Sequence, residues 1–119
     1  MRLNGSLLLS QRDLNRIGQA VSYIEKHYAE RLTPERLSVE VKLSVRKLQA
    51  GLKQLTGHSL YAYQERVRIR LAKSYLEDTD KPLRAIAIST GFKTHSHFGE
   101  NFKKHTSMTP SQYRNEFGR

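Results

Sequence analysis

Residues 82–117, PLRAIAISTGFKTHSHFGENFKKHTSMTPSQYRNEF, hold the most specific pattern in this chain. Pro82 and Thr94 are residue types that begin helices, and Gly91-Phe92 between them marks a tight turn. Thr109-Pro110-Ser111-Gln112 has the spacing of a capping box and predicts a third helix. Two short helices joined by a tight turn, with polar and basic side chains along the second, are typical of a helix-turn-helix motif.

A looser copy of the same pattern, TPERLSVEVKLSVRKLQAGLKQLTGHSLYAY, occupies residues 33–63. Before the turn the copies align with an offset of 49, which places Lys42 on Gly91. After the turn the offset is 50, which places Ser44 on Thr94. The one-residue slip falls in the turn, where chains tolerate insertions. The sequence therefore predicts two related motifs in one chain.

Helical spacing of apolar residues continues outside these copies. It predicts a first helix over about residues 12–30, with Tyr28 on its apolar stripe, and a long helix from Ser59 to about Glu77. The long helix is expected to join two cores, because it has two apolar stripes: Leu60, Tyr63, Val67 and Leu71, and Ile69, Ala72 and Leu76. Ser44 is expected to cap a helix that ends at a left-handed Gly57. The inner face of that helix is predicted to hold Val45, Leu48, Leu52 and Leu55.

No segment alternates between apolar and polar residues with a period of two. We therefore predict an all-α fold of about seven helices without a sheet, in which a long linker helix joins two helix-turn-helix sub-domains. The predicted boundaries are a tail or linker remnant at 1–11, a first sub-domain at 12–57, the linker helix at 58–78 and a second sub-domain at 79–119.

The composition points to an anionic partner. The chain carries 21 Lys and Arg against 11 Asp and Glu, a formal net charge of +10 over 119 residues. This excess favours nucleic acid first and an anionic membrane surface second. The absence of cysteine excludes disulfides and thiolate zinc sites, and a reducing cytoplasm is the expected location. The apolar run Leu7-Leu8-Leu9 is too short for a signal-peptide core or a membrane span. Of the two anionic partners we therefore expect nucleic acid and no membrane.

Catalysis has no support in the sequence. It has no Gly-x-Ser-x-Gly elbow, no phosphate-binding loop and no paired carboxylates beside an apolar pocket. His95 and His97 lie two residues apart and point in different directions on a helix, unlike metal ligands spaced four apart. We predict no catalytic residue, no metal ligand and no cofactor.

Two helix faces supply the candidate DNA contacts. On the first, Arg46 suits guanine, Gln49 suits adenine and Lys53 suits phosphate. On the second, Glu100 is unexpected: it can accept a hydrogen bond from a cytosine amino group, or it can repel phosphate and weaken general affinity. The full candidate set is Ser44, Arg46, Lys47, Gln49, Ala50, Lys53, Lys93, Thr94, His95, Ser96, Glu100, Lys103 and Lys104.

With these residues the chain resembles the AraC/XylS-type bacterial transcription regulators. The resemblance covers roughly residues 12–117. It rests on Ile86-Ala87, Gly91-Phe92, Ser96-His97-Phe98, Phe102-Lys103, Thr109-Pro110 and Tyr113-Arg114, with Leu37, Leu43-Ser44, Leu48, Lys53, Gly57, Arg68 and Ala72 upstream.

The resemblance implies a seven-helix, double-stranded DNA-binding domain with recognition helices at about 44–55 and 94–105 in successive major grooves. It implies activation, or less often repression, of transcription through contact with RNA polymerase. The base-contacting positions of the family fall on Arg46, Gln49, Ala50, His95, Ser96 and Glu100. The family often has arginine where Ala50 and Glu100 stand, so these two residues bear on affinity and target sequence rather than on fold.

Two expectations concern the whole chain. A linker helix of roughly 18 residues is about 27 Å long, somewhat short of the ~34 Å between successive major grooves, so a monomer can read an asymmetric site and bent DNA is favoured. Members of the family usually carry a separate effector domain on the N-terminal side. Nothing before residue 12 is large enough to be one, so we expect a stand-alone regulator or a fragment of a longer protein.

Two other functions stay open. The first is a protein-protein adaptor that uses the helical fold to hold a partner such as polymerase. The second is a non-specific polyanion binder that acts through bulk charge. Sequence-specific binding to a defined duplex survives an excess of random competitor DNA, whereas binding through bulk charge does not. An adaptor binds its protein partner equally well when both recognition faces are neutralised.

Overall fold

A computed structural model of the chain describes residues 2–3 and 7–119. Over these residues it has seven helices, which confirms the predicted all-α architecture. They are α1 (Gln11–Lys26), α2 (Pro34–Val41), α3 (Val45–Thr56), α4 (Leu60–Asp78), α5 (Leu83–Ser89), α6 (His95–Thr106) and α7 (Pro110–Phe117). None of these helices is both long and apolar enough to cross a membrane.

A short antiparallel ladder before α1 corrects the prediction of no sheet. Strands β1 (Arg2–Leu3) and β2 (Leu7–Leu8) pair with Arg2 opposite Leu8 and Leu3 opposite Leu7. Strands of two residues are too short to display a period-two pattern, so apolar spacing could not predict them. Residues 9–119 contain no strand, as expected.

The helix starts follow from local capping chemistry. Ser44 and Thr94 each accept a hydrogen bond from the backbone N–H three residues on, at 3.1 and 3.0 Å. Thr33 does the same for α2, and Thr109 forms a full capping box with Gln112 at the start of α7. These side chains satisfy backbone donors that have no partner inside the helix. The predicted helix starts at Ser44, Thr94 and Thr109 are confirmed.

The chain forms two compact units, each with its own core. Unit 1 runs to His27 and resumes over Arg31–Gln64, and unit 2 comprises Tyr28–Glu30 and Glu65–Arg119. Aliphatic side chains fill the first core, including the fully buried Ile17, Ile24, Leu37, Leu48 and Leu52. Three aromatic rings, of Phe92, Phe98 and Phe102, dominate the second.

Helix α4 contributes to both cores, as its two apolar stripes predicted. Leu60 belongs to the core of unit 1, and Ile69, Ala72 and Leu76 belong to the core of unit 2. The charged face of the same helix carries Arg66 and Arg70, both exposed. One helix therefore serves two interiors while one of its sides stays in contact with solvent.

Two details of the sequence prediction are wrong. Helix α1 ends at Lys26 and not near residue 30, because the carbonyl oxygens of Tyr28 and Glu30 accept hydrogen bonds from Arg68, at 2.7 and 3.1 Å. A contact distant in sequence thus overrides local helical spacing. Leu55 has the angular position of the inner face, but it lies in the last turn of α3 and is 58% exposed.

Candidate nucleic-acid interface

The turns before α3 and α6 are held by equivalent backbone hydrogen bonds. The Leu43 N–H donates to the Ser38 carbonyl at 3.1 Å, and the Phe92 N–H donates to the Ala87 carbonyl at 2.9 Å. These pairs are related by the offset of 49 that the sequence repeat predicted. Both turns therefore bring the chain into the following helix with the same local geometry.

Each turn contains a residue in the left-handed region. It is Lys42 in the first copy, with φ of 58°, and Gly91 in the second, with φ of 94°. At Gly91 the reason for glycine is also steric, since a Cβ there would lie 2.7 Å from the carbonyl oxygen of Ala29. The second turn therefore requires glycine for close approach as well as for its backbone conformation.

The C-terminal ends of α3 and α6 also match. The hydroxyl of Thr56 donates to the Leu52 carbonyl at 2.7 Å, and the hydroxyl of Thr106 donates to the Phe102 carbonyl at 2.8 Å. Each hydroxyl also accepts a hydrogen bond at 3.1 Å from the backbone N–H two residues later. Together with the caps at Ser44 and Thr94, these bonds make α3 and α6 the same structural element at an offset of 50.

The apolar side of each element is fully buried, which fixes the side that faces outward. Leu48 and Leu52 on α3, and Phe98 and Phe102 on α6, have no exposed surface. Gly51 allows α3 to lie close to α1, since a Cβ there would come within 2.3 Å of the Ile17 side chain. Glycine inside a helix costs about 1 kcal/mol in propensity relative to alanine, and the close approach to Ile17 gives a packing reason for it here.

On α3 the candidate contacts divide into two groups. Arg46, Gln49 and Lys53 are exposed, as is the capping residue Ser44, and Ala50 is half-buried beside them. Lys47 is only half-buried too, but its ammonium lies 3.0 Å from the Asp13 carboxylate on α1. This candidate is therefore engaged in holding α3 to α1.

The surroundings of the Asp13 carboxylate favour its ionised form, which pairs with Lys47. Its pKa is lowered from the usual 3.8, first because the Ser10 backbone N–H donates to it and next because Lys47 donates to it. Sequence reasoning placed Lys47 on the outward face but missed Asp13. No local pattern links these residues, since the pair forms only when α1 and α3 pack together.

On α6 every candidate is exposed: Lys93, Thr94, His95, Ser96, Glu100, Lys103 and Lys104. Thr94 is occupied as the cap, and the Lys104 ammonium lies 3.8 Å from the Glu65 carboxylate of α4. The exposed side of α6 thus combines hydroxyl, imidazole, carboxylate and ammonium groups over about three turns. These are the groups that read base edges and bind phosphate.

Arg68 is a half-buried structural residue whose role the sequence did not reveal. Its guanidinium binds the Tyr28 and Glu30 carbonyl groups and lies 5.7 Å from the centre of the Phe92 ring. Burial lowers its pKa, while the nearby Glu65 opposes that shift. Within the described part of the chain, no three side chains of the metal-ligating types come together.

Comparison with known proteins identifies the family. A family model described as a helix-turn-helix domain matches residues 37–116, two thirds of the chain. The chain belongs to the AraC-type helix-turn-helix family. Members of this family are transcription regulators that bind DNA sequence-specifically, so the resemblance noted in the sequence is confirmed.

Three known proteins illustrate the membership. The transcriptional activator RhaS of Klebsiella pneumoniae is 31% identical over 83% of the chain, and the bifunctional transcriptional activator/DNA repair enzyme AdaA of Bacillus subtilis is 36% identical over 77%. The chain spans only 36% and 44% of their lengths. Among solved structures, the C-terminal domain of the response regulator AraT of Geobacillus stearothermophilus is 30% identical, with a TM-score of 0.82 over 87% of each chain.

Proposed function

We propose that this chain is the DNA-reading part of a bacterial transcription regulator, with α3 and α6 entering successive major grooves of one duplex. The observation that carries the proposal is the repeated element itself. Two helices with equivalent turns, caps and C-terminal hydrogen bonds each bury an apolar side and expose a polar one. A formal charge of +10 supplies attraction to the phosphate backbone.

The proposed roles follow from side-chain chemistry. Arg46 reads guanine, Gln49 reads adenine, and Lys53 binds a backbone phosphate. On α6, His95 and Ser96 face base edges near the start of the helix. We propose that three lysines bind phosphate: Lys93 just before α6, and Lys103 and Lys104 on α6. Glu100 is proposed to accept a hydrogen bond from a cytosine amino group.

Lys47 takes a different role from the one its sequence position indicated. Its ion pair with Asp13 supports a part in orienting α3 rather than in direct contact with DNA. Ser44 likewise serves α3 as its cap, and a phosphate contact by its exposed side is a secondary proposal.

The wider regulatory role rests on the relatives. RhaS carries the name of a transcriptional activator, which supports activation and contact with RNA polymerase as proposals for a protein that contains this chain. We further propose that the chain acts in the cytoplasm and has no catalytic role of its own. AdaA is named as a repair enzyme as well as an activator, but the chain spans only 44% of it.

The test compares two single substitutions on a duplex selected for binding. Arg46→Ala is expected to cost about 1–3 kcal/mol at a single base position and to relax the preference there. Lys53→Ala is expected to weaken binding to all sequences alike and to lower the salt slope by about 1. The measurement is binding to the selected site and to its point variants, with and without excess random duplex.

Each alternative function predicts a different result. A polyanion binder would lose its selected duplex to random competitor and would respond equally to the two substitutions. An adaptor would retain its protein partner with both recognition faces neutralised and would show no base preference. Either pattern would overturn the proposed function.

A further inference from the structure

Unit 2 contains a small basic cleft whose lining includes none of the residues proposed to contact DNA. It is lined by Arg66, Ile69, Arg70 and Lys73 of α4 and by His105 of α6, and it has a volume of about 160 Å³. The three cationic residues of α4 follow one another at intervals of four and three, which places them on one face of the helix. We call this feature the α4/α6 cleft.

The lining of the cleft suits an anion. Ile69 is buried and forms an apolar wall at the base of the cleft, while Arg66 and Arg70 are exposed to solvent at its edge. Arg66 and Arg70 present planar guanidinium groups whose several N–H donors match the oxygen atoms of a phosphate.

The Glu65 carboxylate lies beside the cleft and contacts two basic side chains at its edge. The Oε1 atom of Glu65 is 2.6 Å from Nε2 of His105, and the Lys104 ammonium is 3.8 Å from the same oxygen. Because a carboxylate only accepts hydrogen bonds, this contact places the proton on Nε2 and fixes the imidazole ring. The negative charge of Glu65 is paired within the cluster and therefore offsets only part of the positive charge of the cleft.

The cleft lies away from the proposed reading face of α6. His105 follows Ser96 by nine residues, which at 3.6 residues per turn is about half a revolution around the helix. A duplex read by Ser96 would therefore approach α6 from the side opposite the cleft.

We propose that the α4/α6 cleft binds a phosphate group carried by a small ligand and not by the DNA that α6 reads. The volume of the cleft accommodates a phosphate group, and the guanidinium and ammonium groups supply the recognition. This inference goes beyond DNA reading, and the residues that line the cleft are separate from those proposed to contact DNA, although Lys104 at its edge pairs with Glu65.

The direct test is a titration of the chain with inorganic phosphate at low ionic strength, followed by amide NMR. Saturable shifts are expected along α4 and at His105. Arg66→Gln should weaken the apparent affinity about tenfold, the scale of one lost charge-assisted hydrogen bond. Arg84→Gln is the matched control, because Arg84 is an exposed cation of the same unit on α5, outside the cleft. It should change the affinity less than about twofold.

Two results would overturn the proposal at this stage. One is a linear response without saturation, and the other is equal weakening by Arg66→Gln and Arg84→Gln, which would indicate a bulk charge effect. Because this titration contains no DNA, its failure is distinct from a failure of the proposed DNA-binding function.

A second measurement addresses the source of the phosphate. The salt dependence of DNA binding is expected to be the same in Arg66→Gln as in the unaltered chain. A fall of about 0.9 in the slope of log affinity against log salt would mean that one DNA phosphate contact had been lost. That result would assign the cleft to the DNA backbone and overturn the proposal of a separate ligand.

Discussion

At the level of single residues, the two copies differ most clearly where the backbone is left-handed. The turn position is Lys42 in the first copy and Gly91 in the second, while the cap after the recognition helix is Gly57 in the first and Ser107 in the second. Each copy therefore has one residue with a side chain in a conformation that favours glycine. A side chain costs about 1–2 kcal/mol in this region relative to glycine, before the entropy of glycine in the unfolded chain is counted.

Ser107→Gly is predicted to stabilise the protein by about 1 kcal/mol. Ser107 has φ of 64° at the end of α6, and its backbone N–H already donates to the Lys103 carbonyl at 2.7 Å. Glycine keeps that bond and removes the strain of the side chain. The measurement is the free energy of unfolding from urea denaturation.

Gly57→Ser provides the mirror control for this prediction. Gly57 has φ of 79°, and nothing lies within 4 Å of a Cβ built there, so only backbone strain is introduced. A loss of similar size is expected. If the two substitutions changed stability in the same direction, left-handed strain would not explain either effect.

The single residues whose roles the sequence predicted best are those that act on nearby backbone groups. The caps Thr33, Ser44, Thr94 and Thr109 act on backbone groups three residues away, so their roles can be read from the chain itself. The ion pair between Lys47 and Asp13 joins two helices, and it leaves no periodic signal in either one. The sequence therefore identified the candidate contacts as exposed polar positions, but it did not show which of them pair with residues on other helices.

At the level of elements, the packing of α3 on α1 depends on a glycine inside a helix. Gly51 lowers the intrinsic helix propensity of α3 by about 1 kcal/mol relative to alanine. This cost accompanies a close approach of the helix backbone to Ile17, which is fully buried. Close packing therefore outweighs propensity at this position.

Gly51→Ala is predicted to destabilise the protein by up to about 2 kcal/mol. The added methyl group would lie 2.3 Å from Cδ1 of Ile17, and overpacking costs about 1–3 kcal/mol, against a gain in helix propensity of about 1 kcal/mol. Gly18→Ala on α1 is the control, since nothing lies within 4 Å of a Cβ there. It should stabilise by about 0.5–1 kcal/mol. Equal stabilisation by both substitutions in urea denaturation would rule out the packing role.

The ends of elements were predictable where a local signal exists and not where a distant residue decides. Thr109 and Gly57 mark helix boundaries through their own chemistry, and both predictions are confirmed. The end of α1 depends on Arg68, which binds carbonyl groups of Tyr28 and Glu30, a segment that belongs to unit 2 together with Arg68 itself. Apolar spacing continued past that point, so it extended the predicted helix to about residue 30.

At the level of the whole molecule, the two units repeat one design with different interiors and different reading faces. Leu43, Leu48 and Leu52 in the first core correspond to Phe92, Phe98 and Phe102 in the second. Outward, Arg46 and Gln49 on α3 contrast with Ser96 and Glu100 on α6. Because the faces carry different hydrogen-bonding groups, the chain is expected to read two different sequences and to need no palindrome.

Selection from a random duplex pool is therefore predicted to yield an asymmetric site with two separate conserved tracts. Replacing both Arg46 and Gln49 with alanine should erase one tract and leave the other, while Ser96→Ala with Glu100→Ala should do the reverse. Distant, independent contacts contribute additively, so each variant keeps the preference of its intact helix at lower overall affinity. Lys81→Gln serves as the control, because it removes a charge outside both faces and should leave both tracts in place. Loss of both tracts from substitutions on one helix would mean that the two elements do not read DNA separately.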